Sequence, residues 1–267
     1  MHDGKVPIDD RGFAYGDGLF ETVLVRDNRP LLWNEHLMRL ARGCERLAIP
    51  FPDRAMLDAL PYQAGPGLHL LKIIVTRGSG GRGYLPPDEA EPRLRWQVMH
   101  FTPAPYRWRE GVRLRLCELR LGIQPRLAGL KHLNRLENVL ARQEWRDEGI
   151  AEGVLCDSEG CVVEATCMNL FWLQDGCLET PRLDRCGVAG TLRAALLASQ
   201  PIDEVSRHAD ELDTVQALWL GNSVQGVWPV TQLEAADGKV IRQWALGPAH
   251  RLLQMKAHEL LGYPSTF

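Results

Sequence analysis

The chain has 267 residues, enough for one large core or two modest ones, and two domains is the expectation. Hydrophobic content of 45% with 24% charged residues is ordinary for a globular protein. A formal net charge of −3, with arginines scattered among acidic residues, excludes the clustered cation that a nucleic-acid surface requires.

At the start, Met1-His2-Asp3-Gly4-Lys5 carries no apolar targeting segment. Residues 20–25 read as a strand, β-branched and aromatic around Glu21. The turn Asp27-Asn28-Arg29-Pro30 brings residues 31–33 back as a second strand, and Asn34 is placed to cap a helix. Along that helix Leu37, Leu40, Ala41, Cys44 and Leu47 recur at helical spacing until Pro50. Residues 68–76 are apolar enough for a central strand. The loop Arg77-Gly78-Ser79-Gly80-Gly81-Arg82-Gly83-Tyr84 and a strand at 94–101 follow. Prolines within 102–111 favour an extended connection, which sets the expected division: an N-terminal domain at 1–104, a linker at 105–111 and a C-terminal domain at 112–267.

The second half opens with a strand at 112–119 and a Gly/Pro loop leading to Lys131. Asn134 and Glu137 have capping-box spacing for a helix carrying Leu136, Val139, Leu140 and Trp145 and ending at Gly149. Strands at 153–156 and 161–165 join through Asp157-Ser158-Glu159-Gly160, and strands at 169–173 and 177–180 through Gln174-Asp175-Gly176. A helix at 192–198, a strand at 217–220 and a helix at 248–260 complete a mixed α+β domain. Seven cysteines, odd in number and without a C-x-x-C pair, fit neither a disulfide framework nor a zinc site. Buried, inert thiols in a reducing cytoplasm are expected, with no metal. No apolar run is long enough to span a bilayer, so neither membrane nor nucleic acid is an expected partner.

Three groups then stand in a chemically meaningful order. Lys131 lies between Leu130 and Leu133 after Ala128-Gly129, a setting in which a lysine tends to lose its proton and become a Schiff-base nucleophile and general base. The same segment also reads as a loop whose lysine snorkels to water. Glu164 follows Val162-Val163, and alternation places it opposite Val163, on the face shared by Val162. There a carboxylate needs a partner, unless it is a hairpin-edge residue in water. Gly187-Val188-Ala189-Gly190-Thr191 approaches a helix N-terminus, where free N–H groups and a hydroxyl bind phosphate. A lysine for an aldehyde, a carboxylate for a ring nitrogen and a phosphate-binding turn are what pyridoxal phosphate requires. Asn222-Ser223, after a strand, reads as a second phosphate loop or an ordinary turn. Arg39 is a phosphate clamp or a surface arginine. Arg77 and Arg82 flank a Gly-Ser-Gly-Gly stretch suited to a substrate carboxylate, while His36 and His132 read as structural.

Taken together these segments resemble the branched-chain-aminotransferase-like, fold-type-IV class of pyridoxal phosphate enzymes. Asp10 to Glu21, Glu35-His36-Leu37-Met38-Arg39-Leu40 and Glu164 through Asn169 to Phe171 carry the class resemblance. Within the class, residues 77–84, 127–137 and 180–184 look most like its aminodeoxychorismate lyase branch. One departure is a first strand shorter than such proteins usually carry. The resemblance implies a two-layer α/β N-terminal domain, a C-terminal α/β pseudobarrel and a homodimer, with the cofactor between domains. It implies that Lys131 bonds the cofactor aldehyde and Glu164 meets the pyridine nitrogen. Arg39, Gly190 and Thr191 would hold phosphate, helped by Asn222 or Ser223. Arg77, Arg82 and Tyr84 are the expected substrate contacts. The implied reaction turns 4-amino-4-deoxychorismate into 4-aminobenzoate and pyruvate, for folate synthesis. A D-amino-acid or branched-chain aminotransferase is the alternative, and a non-catalytic protein that kept the fold is the remoter one.

Overall fold

The computed structural model describes residues 5–264, so part of the expectation of a shortened first strand lies outside the described residues. The chain divides into two compact units. The first comprises the chain through Thr102 together with Leu130–Asn134. The second comprises Pro103–Gly129 and the chain from Arg135 onward.

In the first unit, α1 (Arg11–Tyr15) begins where the Asp10 carboxylate accepts the Gly12 and Phe13 N–H groups at 2.9 and 3.2 Å. It ends at Gly16, whose φ of 67° is the left-handed value that glycine adopts without strain. The buried Asp10 carboxylate also accepts the Thr76 hydroxyl at 2.9 Å and pairs with Arg93. Strand β1 (Gly18–Arg26) turns through Asp27 and Asn28, both at positive φ, into β2 (Arg29–Pro30). Then come α2 (Trp33–Leu47), α3 (Arg54–Ala59), β3 (Leu68–Thr76) and β4 (Arg93–His100). The sheet is antiparallel in the order β2-β1-β3-β4.

Residues 31–33 do not form the expected strand. Leu32 turns left-handed at φ 52° and starts α2, leaving Asn34 inside the first turn with no capping bond. Helix α2 lays His36, Leu37, Leu40, Gly43 and Cys44 against the sheet, while Ala41 is exposed. A Cβ on Gly43 would lie 2.7 Å from Leu19, so glycine there is what lets α2 close on β1. Leu19, Val23, Leu37, Leu40, Leu57, Leu71, Ile73 and Val75 fill the core between the layers. Each such burial contributes about 2 kcal/mol. Leu130 joins this core. Its segment pairs with β1: the Phe20 N–H donates to the Lys131 carbonyl at 2.9 Å, and the Leu133 N–H to that of Gly18 at 3.0 Å.

The second unit begins with α4 (Pro105–Glu110), where an extended linker was expected. Pro105 sits at the first helical positions, where a missing N–H is harmless. Trp108 anchors the helix. Its indole donates to the Gln225 carbonyl at 2.7 Å, and its ring lies 4.8 Å from that of His258. Next come β5 (Val112–Leu121), α5 (Leu136–Arg142), β6 (Ile150–Asp157), β7 (Val162–Ala165), β8 (Asn169–Gln174) and β9 (Cys177–Pro181). The unit continues with α6 (Thr191–Ser199), β10 (Asp203–Val205), β11 (Ala217–Asn222), β12 (Gly226–Glu234), β13 (Val240–Gln243) and α7 (Pro248–Leu261). Its sheet runs β10-β9-β8-β11-β12-β5-β6-β7, with β13 on β12. Strand β7 also touches β8 and β9, so the sheet curls back on itself.

Two further expectations are corrected in this unit, and one strand, β12, falls outside the sequence reading. The capping box fails: the Asn134 amide donates to the Gly16 carbonyl at 3.0 Å, and Glu137 accepts the Gly122 N–H at 2.8 Å. Helix α5 accordingly starts without a side-chain cap and stops at Arg142, before Trp145. Strand β12 is central although Pro229 interrupts its pattern. The proline is tolerated because pairing with β5 begins only at Val230. The thiols are not uniformly buried. Burial pushes Cys44 and Cys156 to about 11 and Cys117 and Cys186 to about 12, but Cys167 and Cys177 are exposed. Among the described residues no helix is long and apolar enough to cross a membrane.

Candidate active site

In the first unit, Lys131 is half-buried, and its Nζ stands 4.3 Å from the centroid of the Phe20 ring. An aromatic face accepts either an ammonium or a neutral amine. On the next residue of β1, Glu21 turns to α2, where His36 Nδ1 lies 2.6 Å from its Oε2 and Arg39 Nε donates to its Oε1 at 2.8 Å. Arg39 Nη2 also donates to Oε2. Arg39 is thus a half-buried, oriented guanidinium rather than a surface side chain. Burial opposes the Glu21 charge, but Arg39 and His36 overcome it and hold the carboxyl down to about 2. Burial also lowers the His36 pKa from its ordinary value. Glu21 opposes that shift, while Arg39 and Lys131 reinforce it.

The folded Glu21 pKa lies below its unfolded value of 4.5, so its stabilisation is complete above pH 4.5 and is lost as pH falls towards 2. His36, depressed from 6.5, acts in the same direction from a higher pH, because the unfolded chain binds its proton first. Denaturant titrations between pH 7 and pH 3 should show falling stability, with Glu21 contributing roughly 2 kcal/mol over that range. A Glu21→Gln chain with the same acid slope would count against this account.

Arg77 is not available to a substrate, contrary to the sequence expectation. Its Nε and Nη2 donate to Asp17 at 2.7 and 3.0 Å, Nη1 to the Ala48 carbonyl at 2.7 Å and Nη2 to that of Leu47 at 2.7 Å. Arg82 differs: its guanidinium is exposed and has no hydrogen-bond partner among the described residues. Tyr84 is 86% exposed, its ring 5.4 Å from that of Tyr15. The loop bearing both is held by Arg11, which the sequence reading did not single out. Arg11 is buried and donates to the carbonyls of Gly83 and Tyr84 at 2.9 Å, and its Nε donates to Asp17 at 3.0 Å.

In the second unit, Glu164 is 4% exposed on β7, and its Oε2 accepts the Val188 N–H at 2.8 Å. That removes the alternative of a hairpin-edge glutamate in water. All four residues of β7 are buried, so simple alternation does not describe it. The strap at 187–189 is pinned to Gly129: the Gly129 N–H donates to the Gly187 carbonyl at 2.9 Å, and the Ala189 N–H to that of Gly129 at 3.1 Å. Asn169 closes the other side, its amide donating to the Val188 carbonyl at 2.9 Å. A Cβ on Gly190 would lie 1.9 Å from Asn169 Oδ1, so only glycine fits before α6. Thr191 opens α6 in a buried position, and the helix start has no side-chain cap. An uncapped start with a hydroxyl suits an oxyanion.

Asn222 is engaged in its own turn, Oδ1 accepting the Val224 and Gln225 N–H groups at 3.0 and 2.7 Å and Nδ2 donating to the Cys167 carbonyl at 3.2 Å. The neighbouring Ser223, buried, has a hydroxyl with no such bond among the described residues. Buried Glu152 steadies the bend after β7, accepting the Thr166 hydroxyl at 2.5 Å and the Cys167 thiol at 2.9 Å. The sequence reading did not single out Glu21, Arg11 or Glu152 as residues that order these segments. For Glu21 and Glu152 the available signal was an acidic side chain within an otherwise apolar or small-residue run.

Residues 18–233 match the family described as amino-transferase class IV. The chain is 38% identical over 257 residues to the aminodeoxychorismate lyase of Vibrio harveyi, covering 93% of this chain and 94% of that protein. It is 28% identical to a putative branched-chain-amino-acid aminotransferase of Methanocaldococcus jannaschii, covering 97% and 92%. Among solved structures, the 4-amino-4-deoxychorismate lyase of Pseudomonas aeruginosa superposes with a TM-score of 0.88 at 45% identity, covering 96% and 95%.

Proposed function

The chain belongs to the class IV aminotransferase family of pyridoxal phosphate enzymes, and within it we propose a lyase that converts 4-amino-4-deoxychorismate into 4-aminobenzoate and pyruvate. The observation that carries this choice is the likeness to two lyases, at 38% and 45% identity over more than nine-tenths of the chain, against 28% for the branched-chain aminotransferase. The residues present fit the cofactor. Glu164 is a buried carboxylate suited to a pyridine nitrogen, Lys131 an amine on an aromatic face, and Gly190-Thr191 a cradle that a Cβ would fill.

Bound there, pyridoxal phosphate supplies an electron sink for negative charge at the carbon bearing the substrate amine. Lys131 would be the amine partner of its aldehyde, and its free amine would take the proton from that carbon. The enolpyruvyl carbon–oxygen bond breaks and the ring becomes aromatic. Lys131 returns the proton to the departing three-carbon fragment, which leaves as pyruvate. No water or oxidant is consumed, since the two products together contain the atoms of the substrate. Glu164 would place its carboxylate beside the ring nitrogen. Arg39, the α6 start and Ser223 hold the phosphate, with Asn222 shaping the loop.

Arg82, with Tyr84 beside it in the loop, is assigned to the substrate carboxylates, and Arg77 to holding the fold. Arg82→Ala should raise KM about tenfold and leave thermal unfolding unchanged. Arg77→Ala should cost about 3 kcal/mol of stability. Steady-state kinetics and unfolding curves distinguish the two, and a reversed pattern would sink the assignment.

The enzyme works as a cytoplasmic homodimer in folate synthesis. Seven free thiols suit a reducing compartment, and exposed Leu136, Val139 and Leu140 on α5 suit burial by a second copy. A scattering mass equal to one 30.0 kDa chain would exclude the dimer. Supplying aminodeoxychorismate and measuring 4-aminobenzoate tests the function. No product, with amino transfer to a keto acid instead, would favour the aminotransferase.

A further inference from the structure

Two groups of the first unit, Glu21 and His36, have no step in this chemistry, yet both are sealed from water at 2% and 0% exposure. Removing a carboxylate from water is unfavourable unless charge and hydrogen bonds replace the solvent. Here both oxygens are engaged by one helix. His36 and Arg39 stand three residues apart on α2, so their side chains project from the same face. His36 Nδ1 reaches Oε2 at 2.6 Å, and Arg39 grips Oε1 through Nε at 2.8 Å and Oε2 through Nη2. An ionised carboxylate only accepts, so the His36 proton sits on Nδ1. The carboxylate occupies the Nε–Nη2 edge of Arg39 and fixes the plane of the guanidinium.

We infer that Glu21 and His36 are positioning residues for cofactor binding: together they fix the Arg39 guanidinium in one orientation so that it meets the cofactor phosphate as a preset fork. The inference rests on the reading that Arg39 holds that phosphate. Stability alone is a poor reason for the cluster, because well-packed apolar residues commonly replace buried ion pairs without loss. What an apolar replacement cannot supply is orientation. An arginine stem carries several rotatable bonds, and each must be fixed before the fork meets a phosphate bidentately. With the carboxylate in place, that ordering is complete before the ligand arrives. His36 in turn holds the carboxylate from the side away from the arginine Nε, so Glu21 cannot swing with its partner.

The test compares pyridoxal phosphate with pyridoxal, which lacks the phosphate, by titrating each into apoprotein and following absorbance and tryptophan fluorescence. The wild type should prefer the phosphorylated ligand, and Arg39→Ala should lose most of that preference. Failure of either result overturns the phosphate role of Arg39 and not merely the role of its neighbours. With that role intact, Glu21→Gln and His36→Leu should weaken pyridoxal phosphate about tenfold or more and pyridoxal less than about twofold. His36→Asn, which keeps an N–H donor, should recover part of the difference. If Glu21→Gln fails to fold, the His36→Leu and His36→Asn pair carries the comparison. Unchanged preference in the folded variants, or parallel weakening of both ligands, overturns the inference and leaves the cluster a purely structural ion group.

Discussion

Lys131→Ala should abolish formation of 4-aminobenzoate, lowering the rate by about 10²–10⁴-fold or more, while leaving the fold intact. The backbone of this residue is secured independently of its side chain. Its carbonyl accepts the Phe20 N–H at 2.9 Å, and two residues later the Leu133 N–H reaches the Gly18 carbonyl at 3.0 Å. Alanine keeps both bonds. What it removes is the amine beside Phe20, which in the proposed reaction is both the covalent partner of the cofactor and the carrier of the transferred proton. Because one group has two duties, its loss is not the sum of two separate effects. Two measurements check it: product formation by chromatography, and the yellow colour of the loaded protein, which the variant should lack. A variant that keeps the colour and more than about a tenth of the activity would refute the assignment of Lys131.

Glu164→Gln should lower activity by about 10²–10³-fold with little change in thermal stability. The carboxylate accepts the Val188 N–H at 2.8 Å, and a glutamine oxygen can keep that bond in the same volume. Gly187, where a Cβ would lie 3.5 Å from Oε2, leaves room for either side chain. The substitution therefore isolates charge. A neutral amide beside the pyridine nitrogen no longer favours its protonated form, and the ring withdraws electrons less strongly. A comparison of wild-type and variant turnover, with cofactor content measured alongside, separates weaker chemistry from weaker binding. Full turnover in a variant that retains the cofactor would show that Glu164 plays no electronic part.

Local patterns made much of the architecture legible. The β-branched run around residues 68–76 matched β3 to the residue, and Asp175-Gly176, both at positive φ, marked the β8–β9 turn. Lys131 and Glu164 stood out in the sequence for a different reason: each interrupts an apolar run, and interruption of that kind is visible without a fold. What local patterns could not show was which polar groups answer one another over distance. Asn134 and Glu137 have the spacing of a capping box, but their partners are Gly16 and Gly122, so the cap never forms. Arg77 looks like a free loop arginine until Asp17 and the end of α2 take its donors. Glu21 and His36, 15 positions apart, gain their meaning only when α2 folds against β1. Pro229 hid β12 because the ladder vacancy that admits it belongs to the pairing with β5.

The segment Leu130–Asn134 completes the first unit from beyond its own sequence boundary, with Leu130 in its core and Lys131 paired to β1. During vectorial synthesis, β1 to β4 emerge from the ribosome well before this strip. The nascent first unit must therefore wait with the Gly18–Phe20 edge uncovered until residue 134 has been translated. Lys131 is delivered late, when the second unit has already begun to emerge. A polypeptide released early, at Thr102, would have the sheet of the first unit but not Lys131, the amine proposed to bond the cofactor.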